Sequence, residues 1–437
     1  MAGIKNFLVH TYRRKFVRNV AVVASGTAGA MIISIAFSPV ITRLYGPEAF
    51  GLLGVFMALL AVLAPISALT YPVAIVLPKE DSDAKGIARL SAYIAMAMTL
   101  LVTIVILVAG NRFLSLIDAE AISSFALLLP LAMLFVVLMD IAKQWLIRKK
   151  QFRITARAEV LQALLINSSK AGAGWFYPLA SVLIVLSTLG NAIHAGMLAF
   201  GINRSKATIN TDSQKEKTAK SLWELAKKHY DFPLYRAPQV FINAVSQNLP
   251  VVMLAAFFGP ASAGFYAICR RVLGMPSRLI GTSVGSVFYP RITEASHKGE
   301  DLTKLIFKTT LGLGAIGFAP FALVVAFGPW LFGFVFGSEW VVAGEYARWL
   351  ALWLFFGFIN RPSVASIPVL GLQGVFLIYE IASVLLRTGA LIVGFYLLKN
   401  DVLAIMLFSL AGVILNTSLI VITIFNSQHN RENKSLF

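Results

Sequence analysis

The sequence predicts an all-α polytopic membrane protein, with about twelve transmembrane helices arranged as two six-helix bundles related by an internal repeat. Three observations carry this. The first is composition: 58% of the 437 residues are hydrophobic, 13% are charged, and the mean hydropathy is +0.78. An average soluble chain is about half apolar and about one quarter charged. The second is the spacing of long apolar runs, and the third is a glycine–proline motif that recurs in the two halves. Together they exclude a secreted scaffold, a disordered chain and a cytosolic enzyme. Net charge is +18, from 38 Lys+Arg against 20 Asp+Glu. In so apolar a chain that excess belongs to loops beside a membrane, so nucleic acid is not an expected partner. The single cysteine, Cys269, excludes an internal disulfide and any multi-cysteine metal site.

Crossing about 30 Å of hydrocarbon takes roughly 20 apolar residues. In order, the runs fall at 19–42, 50–73, 90–108, 125–146, 160–177 and 178–200, then 238–258, 261–283, 306–327, 349–370, 375–398 and 402–425. Lys5, Arg13, Arg14, Lys15 and Arg18 before the first run resemble a signal peptide. The run is too long for a signal core and more spans follow, so it is expected to stay as span one. Span five is interrupted by Asn167, Ser168, Ser169 and Lys170, and its junction with span six lies near Trp175–Pro178.

Basic residues orient the chain. They gather before span one, in the second loop (Lys79, Lys85, Arg89), the fourth (Arg148, Lys149, Lys150, Arg153, Arg157), the sixth and eighth, and the C-terminal tail. The intervening loops hold little beyond Arg43, Arg112 and Lys399. The alternation predicts both termini in the cytoplasm. Residues 202–232, the longest polar stretch, read as a cytoplasmic linker with a short amphipathic helix around 222–226, between bundles 1–201 and 233–437.

The repeat is faint. Tyr45-Gly46-Pro47 with Gly51 follows span one, and Phe258-Gly259-Pro260 with Gly264 follows span seven. Tyr71-Pro72 has a counterpart in Tyr289-Pro290. Glycine and proline turn the chain back at a membrane surface. Hairpins in general use them, but the second correspondence in the same order favours duplication, and with it transport.

Charge at membrane depth is costly and marks candidate sites. The mid-span cations are Lys170, Arg270, Arg271, Arg278, Arg361 and Arg387, against Asp140 and Glu380. Arg271 and Arg278 are seven apart and share a face that Gly264 and Gly285 continue. Glu380, Ser383 and Arg387 form a second stripe, and Arg361 sits between Asn360 and Pro362, where proline frees backbone groups. Arginines facing one space suit phosphate, which they bind in bidentate fashion. The other reading is that these cations snorkel to an interface from helix ends. Arg270 facing Glu380 or Asp140 as a structural pair is also open. Asp140, with Lys143 and Gln144 one turn away, is expected in a local pair. Glu380 and Asp140 are the candidate ion-coupling acids. His194 is either a proton carrier or a packing element. Trp330, Phe332, Phe334, Phe336 and Trp340 fit an interfacial belt or a re-entrant segment. There is no P-loop, metal triad or nucleophile elbow, so neither cofactor, metal nor catalytic residue is predicted.

Several stretches resemble one family. Tyr230-Asp231-Phe232-Pro233-Leu234-Tyr235-Arg236-Ala237-Pro238 is followed by Asn248-Leu249-Pro250, Phe258-Gly259-Pro260 and Gly264-Phe265-Tyr266. Arg43 to Gly51, Tyr71 to Pro78 and Phe336-Gly337-Ser338-Glu339-Trp340 add to them. The order resembles the polysaccharide transporter (Wzx-type flippase) family, in the superfamily of multidrug and lipid II exporters. That resemblance implies an undecaprenyl-diphosphate-linked oligosaccharide, such as an O-antigen repeat unit of lipopolysaccharide, moved from the cytoplasmic to the periplasmic leaflet of a bacterial inner membrane. It further implies alternating access around a cationic lumen, coupling to a cation gradient, membrane lipids around the chain, and a polysaccharide polymerase and chain-length regulator as partners. Multidrug or lipid II export is the alternative. A membrane-bound polymerase or ligase is a further one, though such enzymes present a large external loop that this chain lacks.

Overall fold

The computed structural model describes residues 2–116, 120–208 and 220–435, with side chains described outside 2–21, 111, 113–122, 206–208, 275–287, 429–435 and residue 23. Among the described residues all regular structure is helical. The α-helices are α1 (Ala2–Ser67), α2 (Asp81–Leu116), α3 (Leu128–Arg148), α4 (Phe152–Phe176), α5 (Ala180–Thr208), α6 (Leu222–Lys228), α7 (Ala237–Phe258), α8 (Pro260–His297), α9 (Leu302–Phe336), α10 (Val341–Ile359), α11 (Arg361–Leu370), α12 (Gln373–Val393) and α13 (Asp401–Ser435). Among the described residues nine helical segments are long and apolar enough to cross a membrane. One of them, Ala24–Ser67, carries the first two predicted spans, joined at Gly46. Helices α4 and α8 occupy predicted spans five and eight. The chain is a multi-pass membrane protein.

Contacts divide the chain into two compact units, Met1–Tyr45 with Leu52–Val252, and Gly46–Gly51 with Met253–Phe437. In the first unit α3 packs chiefly on α5, and α5 also carries α4. At its polar end Tyr71–Val76 forms a 3-10 turn, and Arg148 gathers the chain after it. Arg148 donates through Nη1 to the carbonyls of Pro78 (2.6 Å) and Ile75 (3.3 Å), and its Nε meets Asp81 Oδ1 at 3.0 Å. Part of the cationic excess therefore ties backbone rather than only orienting the chain. Helix α6 starts with a capping box: Ser221 Oγ accepts from the Glu224 amide at 3.2 Å, and Glu224 Oε2 from the Ser221 amide at 3.3 Å. Its Leu225 is buried against Tyr71, Ile75, Ile87 and Phe232.

In the second unit α10 is central, packed on α9, α13 and α8. Here the two copies of the glycine–proline motif meet. Gly46 (φ 68°) and Gly259 (φ 87°) both adopt backbone that side chains disfavour. A Cβ on Gly51 would lie 1.7 Å from the Pro260 carbonyl oxygen, and one on Gly264 would lie 2.2 Å from that of Pro47. Gly51 of one copy thus packs on the proline of the other, and Gly264 returns the contact. Trp340 is buried beneath it, edge-on to Phe50 at 5.3 Å and to Phe265 at 6.0 Å.

Four expectations change. The second repeat correspondence fails: Tyr71-Pro72 opens the 3-10 turn, whereas Tyr289-Pro290 lies inside unbroken α8. Predicted span ten, 349–370, is instead α10 and α11 broken at Asn360, with its start moved back to residue 341. The aromatic run 330–336 is the end of α9, with Phe332 and Phe336 buried and Trp330 and Phe334 exposed, and Trp340 is core rather than belt. Gly264, placed on an arginine stripe, is a packing surface.

Gly264→Ala should destabilise the protein by about 1–3 kcal/mol, because its new methyl meets backbone that cannot yield. Gly312→Ala, where nothing lies within 4 Å, should not. Thermal unfolding in detergent compares the two. His229 is buried outside the spans, and burial and then Lys228 lower its pKa from 6.5. Below pH 6.5 the unfolded chain takes a proton that the native imidazole resists. Stability should fall as pH drops through that range, and His229→Gln should flatten the fall.

Candidate functional site

The cations of the second unit are sorted by the aromatic residues around them. Helix α8 supplies Tyr266 and Arg270 one turn apart, α12 supplies Ser383 and Arg387, α10 supplies Trp353 and α13 Phe408. The Arg387 guanidinium lies over the Trp353 ring at 5.3 Å and the Phe408 ring at 5.9 Å. It folds back on its own helix, Nε donating to the Ser383 carbonyl at 2.9 Å and Nη2 to Ser383 Oγ at 2.5 Å. Arg270 lies over the Tyr266 ring at 5.9 Å. Tyr266 meets Phe408 edge-on at 6.2 Å and Trp353 meets Phe408 at 5.2 Å, so the three rings form one wall beneath both guanidinia. A weakly hydrated guanidinium gains from a ring face what an ammonium would lose in water.

Two features hold this wall in place. A Cβ at Gly412 would stand 2.3 Å from Trp353 Cδ1, so only glycine lets the indole lie flat on α13. Above it, Asn416 Oδ1 accepts from Asn360 Nδ2 at 2.9 Å and from the Tyr379 hydroxyl at 3.4 Å, while its Nδ2 donates to the Gly412 carbonyl at 2.7 Å. This polar knot fills the break between α10 and α11. The Asn360 Oδ1 is buried there without a hydrogen-bond partner among the described residues.

The predicted residues separate into groups. Arg270 and Arg387 converge on Tyr266, and Glu380 acts electrostatically on Arg387 from the same stripe. Arg271 and Arg361 are exposed and make no hydrogen bond or ion pair among the described residues. Arg271 is one residue beyond Arg270, about 100° further round the helix, so it leaves the aromatic wall. The Arg278 side chain and Gly285 lie outside the described residues. Lys170 belongs to the first unit, where its carbonyl accepts from the Tyr45 hydroxyl at 2.8 Å.

Asp140 departs from expectation. Lys143 does not close a local pair with it but reaches across to α4, its Nζ 3.4 Å from Glu159 Oε1. Thr27 donates to the other oxygen of Glu159 at 2.9 Å. Glu159, held by groups from two helices, outcompetes Asp140, which makes no hydrogen bond or ion pair among the described residues. Trp353, Phe408, Asn416, Lys143 and Glu159 were not singled out from the sequence as site residues. The Tyr266–Arg270 and Ser383–Arg387 spacings of four were the available signal, and only the second was read.

The apolar helices, with cations set over an aromatic wall, make this chain a multi-pass membrane protein. Residues 16–296 match the polysaccharide biosynthesis protein family, well over half of the chain, and the chain belongs to that family. The succinoglycan biosynthesis transport protein ExoT of Rhizobium meliloti (strain 1021) is 22% identical over 337 residues, 75% of this chain and 63% of that protein, so the match spans less than two thirds of its length. Among solved structures, an inward-facing multidrug resistance MATE family transporter of the MOP superfamily superposes with a TM-score of 0.68 at 14% identity, over 93% of this chain and 98% of that one. The lipid II flippase MurJ in its inward closed conformation gives 0.64 at 15% identity, over 94% and 90%. The fold is that of the MOP superfamily.

Asn416→Leu should strand the buried Asn360 amide and the Tyr379 hydroxyl, at a cost of about 1–3 kcal/mol. Thermal unfolding in detergent measures it, and Asn416→Asp, which keeps an acceptor, should cost less.

Proposed function

We propose that this chain is a flippase for a diphosphate-linked polyprenyl oligosaccharide, an undecaprenyl-diphosphate-linked surface polysaccharide repeat unit, and not an enzyme. It works in a bacterial inner membrane with both termini in the cytoplasm, moving the lipid from the cytoplasmic to the periplasmic leaflet by alternating access driven by a cation gradient. The observation that carries this is the Arg270–Arg387 pair over its aromatic wall, with exposed Arg271 and Arg361 on the same unit. Guanidinia at membrane depth are kept where an anion must be met, and a diphosphate offers oxygens that match their fork. Aromatic faces beside them are suited to the apolar faces of sugar rings. The family to which the chain belongs and the succinoglycan transport protein it resembles support a polysaccharide cargo. A drug-exporting relative would meet a cation, for which a wall of arginines is repulsive.

Each charge-assisted arginine–phosphate contact contributes about 1.5–3 kcal/mol. Replacing Arg270 and Arg387 together by alanine should therefore reduce flipping of lipid-linked oligosaccharide in proteoliposomes by about a hundredfold or more. Arg387→Lys should restore little, because an ammonium cannot stack and fork at once. Wild-type flipping by the folded double variant would refute the site.

A further inference from the structure

The first unit holds an open groove between α1 and α4, with a volume of 590 Å³. Its back wall is a close approach of the two helices: a Cβ on Gly26 would stand 2.4 Å from that of Ala156. Its rim is formed by Arg153 and Arg157, one turn apart on α4 and both exposed, with Ser25 contributed by α1. Neither arginine makes a hydrogen bond or ion pair among the described residues. Glu159, the nearest acid along α4, lies about 200° round the helix from Arg157 and is held by Thr27 and Lys143. Further along the arginine face, Leu161 and Leu164 line the groove and are exposed.

Three physical points define what fits this groove. Its lining changes along α4 from charged to apolar. Helix α4 starts just after the basic turn 148–150, so its arginines stand at headgroup depth and the two leucines lie further into the hydrocarbon. From Arg153 to Leu164 the helix rises about 16 Å, and one leaflet of hydrocarbon is about 15 Å thick. Positive charge followed by apolar surface over that depth is the order of a lipid with an anionic head. The two guanidinia, on Cβ atoms about 6 Å apart, can fork a single phosphate. Among the described residues no aromatic ring lines the groove, so a sugar would find no stacking face there.

We infer that this groove binds an anionic phospholipid of the surrounding bilayer, with its phosphate on Arg153 and Arg157 and one acyl chain over Leu161 and Leu164. The site goes beyond the transport reading, since it needs neither a polysaccharide cargo nor an ion gradient. Basic pockets between membrane helices select anionic headgroups, because each cation near the surface attracts them. A zwitterionic headgroup gains less, as its own ammonium is repelled by the arginines. The seated lipid covers the α1–α4 seam, where Gly26 and Ala156 leave little side chain to fill the space in front of them.

Native mass spectrometry of the purified chain tests this, with phosphatidylglycerol and phosphatidylethanolamine as probes. Wild type should retain one phosphatidylglycerol in preference to phosphatidylethanolamine. Arg153→Gln with Arg157→Gln should weaken phosphatidylglycerol binding by about thirtyfold. Lys79→Gln with Arg89→Gln removes the same charge from exposed positions off the groove and should leave binding nearly unchanged. Equal binding by wild type and the arginine variant overturns the site. Equal weakening in the control variant also overturns it, because net charge alone then accounts for the effect. Equal affinity for the two lipids overturns the anionic selectivity and the inference with it. Displacement of phosphatidylglycerol by an equal concentration of polyprenyl diphosphate assigns the groove to cargo and likewise overturns it. If the double arginine variant does not fold, Ser25→Trp, which fills the groove and keeps every charge, takes its place. It should lose the bound lipid, and retention there overturns the site.

Discussion

The contact on which the second unit depends is backbone on backbone. Gly51 and Gly264 each lie so close to a carbonyl of the other motif copy that no side chain fits, and each motif begins with a glycine at positive φ. In lipid there is no hydrophobic drive between helices, so small residues that let backbones approach are a main source of cohesion. The two glycines make such an approach twice, with the partners exchanged. The wall of Phe50, Phe265 and Trp340 forms below that contact, because only closely approached helix ends bring those rings within 6.0 Å. The reciprocity is also the firmest trace of duplication, since the second sequence correspondence dissolves into unlike structures.

Positive charge is accommodated in this chain by three distinct means. Arg148 is satisfied by backbone carbonyls, and Lys143 by a carboxylate shared with another helix. Arg387 turns back to Ser383 on its own helix, and both Arg387 and Arg270 rest on aromatic faces. The difference matters chemically. A lysine bound to a carboxylate is neutralised, whereas a guanidinium on a ring keeps its positive charge.

Much of this architecture was legible in the sequence, for identifiable reasons. Hydropathy over a span is a sum over some twenty residues and survives local irregularity, so helices stand at the predicted runs, with span ten broken at Asn360. The glycine–proline turns were legible because only those residues meet their backbone demands. The site was legible only by type. Spacing put Arg271 on a stripe with Arg278 and Arg387 on one with Glu380 and Ser383, but adjacent helical residues point about 100° apart, and it is Arg270 that reaches the wall. Trp353 and Phe408 were hidden among many aromatics, since nothing local distinguishes a ring beneath a guanidinium from one facing lipid. The partner of Lys143 was hidden too: Asp140 is near in sequence, and Glu159 is near only after α3 and α4 have packed.

Arginine places a further restriction on how such a protein works. A guanidinium does not give up its proton in a protein, so such a charge is permanent through any cycle. A fixed cation binds a diphosphate equally well at every stage unless something else alters its surroundings, and a site that holds its cargo uniformly cannot release it. The variable must therefore be the surroundings of the fixed cations: the rings beneath them, the Ser383 oxygens that Arg387 already engages, and Glu380, exposed on the same stripe.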